Sequence, residues 1–285
     1  MNQSPLPGFE APVRVASLGS GSRGNGTLVS LRGKMVLIDC GFTLRDACAR
    51  LRRLRVDPAD IAAILVTHEH ADHAHGVGAL ARRFRLPVYA SLGTVHGMRD
   101  WQDLDVRPFR AGAELDLGGV GVHAVSVPHD AREPTQFVVE RDGHRVGVLT
   151  DLGHAPRSVR DGFRRCTVLL VEGNHDRELL WRGKYPWPLK QRIASDVGHL
   201  SNEQTAEFVA EIADDDLEHL IVGHISEENN AMPLLRRAFA RLERRLQRVS
   251  YATQHGDGAW IESYSPPRTG FDHRIAERTP AFQLT

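Results

Sequence analysis

The sequence predicts an α/β protein in which two β-sheets pack together with helices on their outer faces. Strand-like segments come in runs, helical periodicity falls between only some of them, and no repeat or linker divides the 285 residues. A doubly wound parallel sheet would alternate strand and helix throughout, so two packed sheets fit better. The length allows one large domain with an ample core.

Residues 1–12 read as a flexible arm, 13–263 as the folded domain and 264–285 as a loosely attached tail. VRVAS (13–17) reads as a strand, and the Gly/Ser-rich loop LGSGSRGNG follows it. TLVSLRG (27–33) and KMVLIDC (34–40) read as strands that turn at Gly33. Residues 43–55 suit a helix with Leu44, Ala47, Leu51 and Leu54 on one face. AAILV (62–66) is a short buried strand, and 74–85 reads as a helix ended by Pro87. VGVHAVSV (120–127), TQFVVE (135–140), RVGVLT (145–150) and TVLLVE (167–172) read as strands, with Asp-Gly at the centre of the 141–144 hairpin turn. Ser201 and Gln204 stand in capping-box spacing, so a helix begins there and runs to 213. HLIVGH (219–224) is a strand, 231–247 a basic helix, and YATQHGDGAWIES a candidate last strand pair.

Gly19, Gly21 and Gly24 match GxGxxG after a strand, with Asp39 further on. A dinucleotide fingerprint requires a helix next, and TLVSLRGKMVLID supplies two β-like runs instead. The loop can be read either as a source of backbone N–H groups for a phosphate, with Ser20, Ser22 and Asn25 beside it, or as a turn between strands.

Composition excludes some classes. Hydrophobic content of 41% and charged content of 25% are those of an ordinary globular chain. Thirty-six cations balance 36 acids, so any anion-binding surface must be local. Cys40, Cys48 and Cys166 are odd in number and form no CxxC, which reads as reduced thiols and a cytoplasmic location. The N-terminus lacks a signal-peptide pattern, and no apolar run is long enough for a membrane span.

The chemistry concentrates in LVTHEHADHAHG (65–76). His68, Glu69, His70, Asp72, His73 and His75 crowd after a short apolar run. HxHxDH is a demanding pattern: imidazole and carboxylate suit Zn²⁺, Mn²⁺ or Fe²⁺, and without a cation their gathering would only incur desolvation. Further ligand candidates follow buried strands: His129 in VPHD, Asp151 in TDLG and His224 at the end of HLIVGH. His199 in GHLSN and Glu172 at the end of TVLLVE lie outside that set.

THEHADHAHG followed in order by His129, Asp151 and His224 resembles the metallo-β-lactamase fold superfamily. SLGSGSRGNGTLV, EGNHDRELLWRGKYPWPLKQRIASDVGHLSNEQ and HISEENN are similar to its YycJ/WalJ-type hydrolases over most of 13–262. The resemblance implies a four-layer αββα sandwich with a two-metal site between the sheets. One cation would take His68, His70 and His129, the other Asp72, His73 and His224. Asp151 would bridge them, and Asp39 in LIDCG would orient ligands. Glu172 and His199 resemble the pair used by tRNase Z-type nucleases, with His199 as general acid. The implied activity is a DNA exonuclease working from 5′ ends.

Other residues keep two readings. His175 and Asp176, with Asn174 before them, suit substrate contact or structural hydrogen bonding equally. His75 and His154 read as noncatalytic. In 177–192, Arg177, Arg182, Lys184, Lys190 and Arg192 interleave with Trp181, Tyr185 and Trp187, which suits a nucleic-acid surface or an irregular segment with core tryptophans. The basic helix and the Arg50–Arg55 cluster read as solvated faces. Competing activities are a small-molecule (cyclic) phosphodiesterase, which predicts a narrow pocket, and a thioester or lactam hydrolase, which should not need His199. A binding module with a relic site is the noncatalytic alternative. The 152–223 stretch leaves no room for a β-CASP insertion.

Overall fold

The computed structural model describes residues 13–256 and 258–264; the proposed arm, and the tail beyond 264, lie outside them. The first sheet contains β1 (Val13–Gly19), β2 (Gly26–Leu31), β3 (Lys34–Ile38), β4 (Ile61–Val66), β5 (Val88–Ser91) and β6 (Val106–Phe109) as neighbours in chain order. The second contains β7 (Glu114–Asp116), β8 (Gly121–Ser126), β9 (Thr135–Arg141), β10 (His144–Leu149), β11 (Val168–Glu172), β12 (His219–Gly223) and β13 (Arg248–Tyr251), again in chain order. Finally β14 (Ile261–Ser263) returns to the first sheet beside β1. The expected terminal strand pair is therefore split: β13 runs parallel to β12, and β14 antiparallel to β1.

Side-chain alternation makes the layers. Val36 and Ile38 face the other sheet and meet Phe137, Val139, Val146, Val148 and Leu170. Leu37, between them, faces outward with Leu28, Leu51 and Leu80. That outer face carries α1 (Leu44–Arg53), α2 (Ala71–Ala74), α3 (Val77–Phe84) and α4 (Leu92–Gly97) near its strand ends. Val138 and Leu169 face outward from the second sheet under α5 (Arg157–Phe163), α8 (Asn202–Ile212) and α9 (Met232–Arg245), with Phe163, Phe208 and Phe239 as anchors; α6 (Arg177–Arg182) and α7 (Trp187–Ile193) lie between β11 and α8 in the chain. The result is the four-layer αββα sandwich. Among the described residues no helix is long and apolar enough to cross a membrane.

Two local readings need correction. The helix expected over 74–85 is α3, which starts only at Val77; Gly76 separates it from the single turn α2 that ends at Ala74. There the chain touches its neighbour: Gly76 N donates to Cys40 O, and a Cβ would lie 1.8 Å from Phe42 O. The basic segment 177–192, open to being irregular, forms two short helices. Asp176 caps α6 by accepting from Leu179 N. Pro186 precedes α7, and Pro188 sits in its first turn, where a missing N–H is harmless.

Candidate metal centre

Strand ends build the site. Asp39 follows β3, Asp151 lies just past β10 and His224 follows β12. Each holds a left-handed backbone, with φ of 61°, 55° and 47° respectively. Such positions are uncommon for residues other than glycine and are kept where the surrounding structure fixes them. Here the turns at the strand ends bring Asp151 and His224 to the cleft and set Asp39 behind Thr67 and His73.

Hydrogen bonds then orient the imidazoles. Asp39 Oδ1 accepts from Thr67 N at 2.8 Å, and Oδ2 accepts from Thr67 Oγ1 at 2.8 Å and from His73 Nδ1 at 2.7 Å. His68 Nδ1 lies 2.9 Å from the same Thr67 hydroxyl. His129 Nδ1 lies 3.1 Å from Gly198 O. With the Nδ1 protons assigned to these acceptors, Nε2 of His68, His73 and His129 is left with a lone pair facing inward.

The inward atoms form clusters. Ligand atoms of His68, His70 and His129 lie within 4.8 Å of one another, as do those of Asp72, His73 and His224. These are the two trios that the resemblance implies. Asp151 joins a third group with His68 and His73, and a fourth with His199 and His224. The fourth is a departure, because His199 was expected to stand apart from the ligands.

The donor set fits cations. His68 Nε2 and His70 Nδ1 approach to 2.9 Å. Asp151 Oδ2 lies 3.0 Å from His73 Nε2, its Oδ1 lies 3.3 Å from His224 Nδ1, and His129 Nε2 lies 3.4 Å from Asp130 Oδ1; so dense a buried gathering of imidazoles and carboxylates is costly unless positive charge completes it. Electrostatics agree. Burial opposes a charge on His224, yet Asp151, Asp72 and Glu172 push its pKa up to about 10. Burial also opposes a charge on His73, but Asp151, Asp72 and Asp39 raise it well above its ordinary value. Burial would raise Asp72, but His73 and His224 hold its carboxyl well below the usual carboxylate range. The pocket is thus rich in negative charge, which favours positive charge within it.

Glu172 ties the opposite wall together. Its Oε1 accepts from Leu152 N at 2.9 Å and Leu200 N at 3.0 Å, and its Oε2 lies 2.9 Å from His199 Nδ1. Burial works against its charge, but His199 and His224 hold its pKa down to about 2. An anionic Glu172 accepts from His199 Nδ1 and leaves Nε2 as that ring's working atom.

A cleft of about 390 Å³ opens over these groups, with Ser22, Asn174, Tyr185, Leu189, Arg192 and Ser226 among its lining residues. Several expected substrate contacts lie elsewhere. Ser20 is buried, and its Oγ accepts from His224 N at 2.7 Å. Asn25 is buried too: its N donates to Asp72 O at 2.7 Å and its Nδ2 lies 3.2 Å from Asp72 Oδ2. Backbone N–H groups of Ser20, Gly21, Arg23, Gly24 and Asn25 all find internal acceptors, so the Gly-rich loop braces the ligands instead of presenting those donors to a phosphate. Lys190 is buried, and its Nζ donates to Trp181 O and Gly183 O. His175 is buried, and burial pushes its pKa down to about 4; its Nδ1 lies 3.3 Å from Asn174 Oδ1. Asp176 is a helix cap. Asn174 lines the cleft while its Nδ2 donates to His224 O at 3.3 Å. Arg177, Lys184, His75 and His154 are exposed and lie outside the cleft lining. Arg192 and Tyr185, read from the sequence as part of a candidate nucleic-acid surface, line the cleft, and so does Ser226, which sequence reasoning did not single out. The basic and aromatic character of 177–192 was the available signal for the first two.

Comparison with known proteins agrees with this architecture. The family model for a beta-lactamase superfamily domain matches residues 34–225. Exodeoxyribonuclease YycJ of Bacillus anthracis is 34% identical over 233 residues, 79% of this chain and 87% of the relative. Exodeoxyribonuclease WalJ of Streptococcus pneumoniae serotype 2 is 35% identical over 231 residues, covering 79% and 86%. The solved metallo-beta-lactamase fold protein YhfI from Bacillus subtilis superposes with a TM-score of 0.67 at 15% identity, covering 89% of this chain and all of that one. The chain belongs to the beta-lactamase superfamily and, within it, to the YycJ/WalJ type. This fold with these His/Asp clusters suits divalent cations.

Proposed function

We propose that the protein is a metal-dependent nuclease that removes nucleotides from the 5′ ends of DNA. The observation that carries the phosphodiester chemistry is His199, 2.9 Å from the buried Glu172 and lining the same cleft as the ligand clusters. The alkoxide that leaves when a phosphodiester is cleaved needs a proton, whereas a thiolate does not. DNA as substrate rests on the two relatives, both exodeoxyribonucleases.

In this reading His68, His70 and His129 would hold one divalent cation and Asp72, His73 and His224 another, with Asp151 within reach of both groups. Zn²⁺, Mn²⁺ and Fe²⁺ all match the nitrogen and oxygen donors. Such a pair, when bound, supplies Lewis acidity to the phosphate and brings the pKa of water towards neutrality. Water forms the new P–O bond as the bond to the leaving oxygen breaks, and His199 Nε2 gives that oxygen its proton. Glu172, 2.9 Å from Nδ1, keeps that imidazole aimed. Asp39, Thr67, Asn25 and Ser20 hold the ligands in place. Ser22, Asn174 and Ser226 offer polar contacts to substrate, and the exposed Arg177 and Lys184 supply positive potential near the cleft. Cys40 and Cys166, free and with pKa values pushed up to about 12 by burial, suit the reducing cytoplasm.

The test is a substrate panel with Mn²⁺ or Zn²⁺: 5′-phosphorylated duplex DNA, RNA of the same sequence and a cyclic dinucleotide. Stepwise shortening of the DNA from its 5′ end is the expected result. Turnover of the cyclic dinucleotide with both polymers intact would overturn the nuclease reading.

A further inference from the structure

Five large apolar side chains are well exposed among the described residues, and three of them, Trp181, Trp187 and Val197, lie within 181–197. That segment also walls the cleft through Tyr185, Leu189, Arg192 and Ile193. Trp187 opens α7, the short helix that carries Leu189, Arg192 and Ile193. Exposed apolar groups gathered beside a site mark a contact surface more often than chance.

The two indoles form a pair, with centroids 5.1 Å apart and planes at 42°. They are 41% and 61% exposed. The backbone of Trp181 is held, since Lys190 Nζ donates to Trp181 O at 2.9 Å and to Gly183 O at 2.6 Å. Pro186 and Pro188 fix the chain on either side of Trp187. The aromatic surface is therefore set before anything binds, which lowers the ordering cost of a contact. The exposed Arg177 and Lys184 give the segment a positive excess, because Glu178 is paired with Arg182. A rigid aromatic surface among cations matches a nucleobase attached to its phosphates better than it matches a purely apolar partner.

We propose that Trp181 and Trp187 stack an unpaired nucleobase of the strand held in the cleft, so that the enzyme grips single-stranded or frayed ends. This rests on the nuclease reading and adds a binding site to it. A base paired in a duplex has its faces covered by its neighbours, so the platform favours unpaired nucleotides.

The experiment uses full-length protein with its cations and short phosphorothioate-linked DNA carrying a 3′-fluorescein, followed by anisotropy. Wild type should bind the single strand more tightly than a blunt duplex. Trp187→Ala should weaken single-strand binding roughly 5- to 100-fold, the range for one base–aromatic stack. Trp187→Phe should restore most of that loss, and the duplex should be affected far less. Trp181→Ala/Trp187→Ala should remove the preference for single strands; if that variant fails to fold by circular dichroism, the two single-site variants decide. Unchanged affinity, or equal loss for both DNAs, would overturn the platform. So would a wild-type dimer that becomes monomeric in Trp187→Ala with DNA binding intact, which would assign the patch to a second copy of the chain. If wild type also cleaves ordinary DNA, these failures leave the nuclease standing; if it neither binds nor cleaves DNA, both readings fall.

Discussion

The wall of the cleft at residues 67–76 and the wall at 174–199 are built differently. In the first, His68 and His73 are fully buried, and one carboxylate, Asp39, reaches both through Thr67 and through its own oxygen. In the second, two short helices carry half-exposed tryptophans, and ion pairs such as Arg182–Glu178 stand in solvent. Glu172 reaches from the buried core to that second wall and fixes only its inner edge, at His199 and Leu200. The difference teaches a division of labour. Chemistry that requires fixed geometry stands on strand ends with buried support, whereas contact with a polymer is left to exposed, shallow elements.

Breaking the first wall should have the largest effect. Asp72→Ala is expected to remove one cation and lower kcat/KM by roughly a thousandfold or more, because the lost charge stabilisation amounts to several kcal/mol. Metal analysis alongside DNA cleavage checks this, and retained cation content with full activity would exclude Asp72 from the ligands. A milder change tests the support. Asp39→Asn leaves every proposed ligand in place but weakens the acceptor for Thr67 and His73. Cation affinity should fall about 10- to 100-fold, read by competition with a chromophoric chelator.

A control away from both walls sharpens the comparison. His219 opens β12 at the opposite end from His224, and its Nε2 lies 2.9 Å from Ser250 Oγ. Burial, then the charge of Arg248, lowers its pKa from 6.5 to about 4. Between those values the unfolded chain binds more protons than the folded one, so stability from this group is full above 6.5 and is lost as pH falls towards 4. The denaturation midpoint of His219→Gln should therefore change less between pH 7.5 and pH 5 than that of wild type, with activity at pH 7.5 unaltered. Identical pH profiles would show that His219 does not sense the fold.

Much of the first wall was legible in the sequence because its chemistry is dense. HxHxDH after IAAILV, and single polar residues after buried strands, mark positions where a side chain is both fixed and presented. The residue types did not reveal direction. Ser20 and Asn25 could have faced a phosphate, but the structure turns them onto His224 and Asp72. Lys190 looked like a free cation, yet it is buried and its Nζ donates to two carbonyls. The division of 248–263 between the sheets was hidden because strand pairing is set by partners far away in the chain. The break at Gly76 depends on a contact with Phe42 that no local pattern encodes.

The division of labour is tested most directly at His199, where the two walls meet. His199→Ala should be compared with wild type on DNA and on bis(p-nitrophenyl) phosphate, whose leaving group needs no proton. A proton donor predicts a loss of roughly 100- to 10,000-fold on DNA and little loss on the aryl ester. Equal losses on both substrates would contradict that role and place His199 among the ligands, in the group it forms with Asp151 and His224.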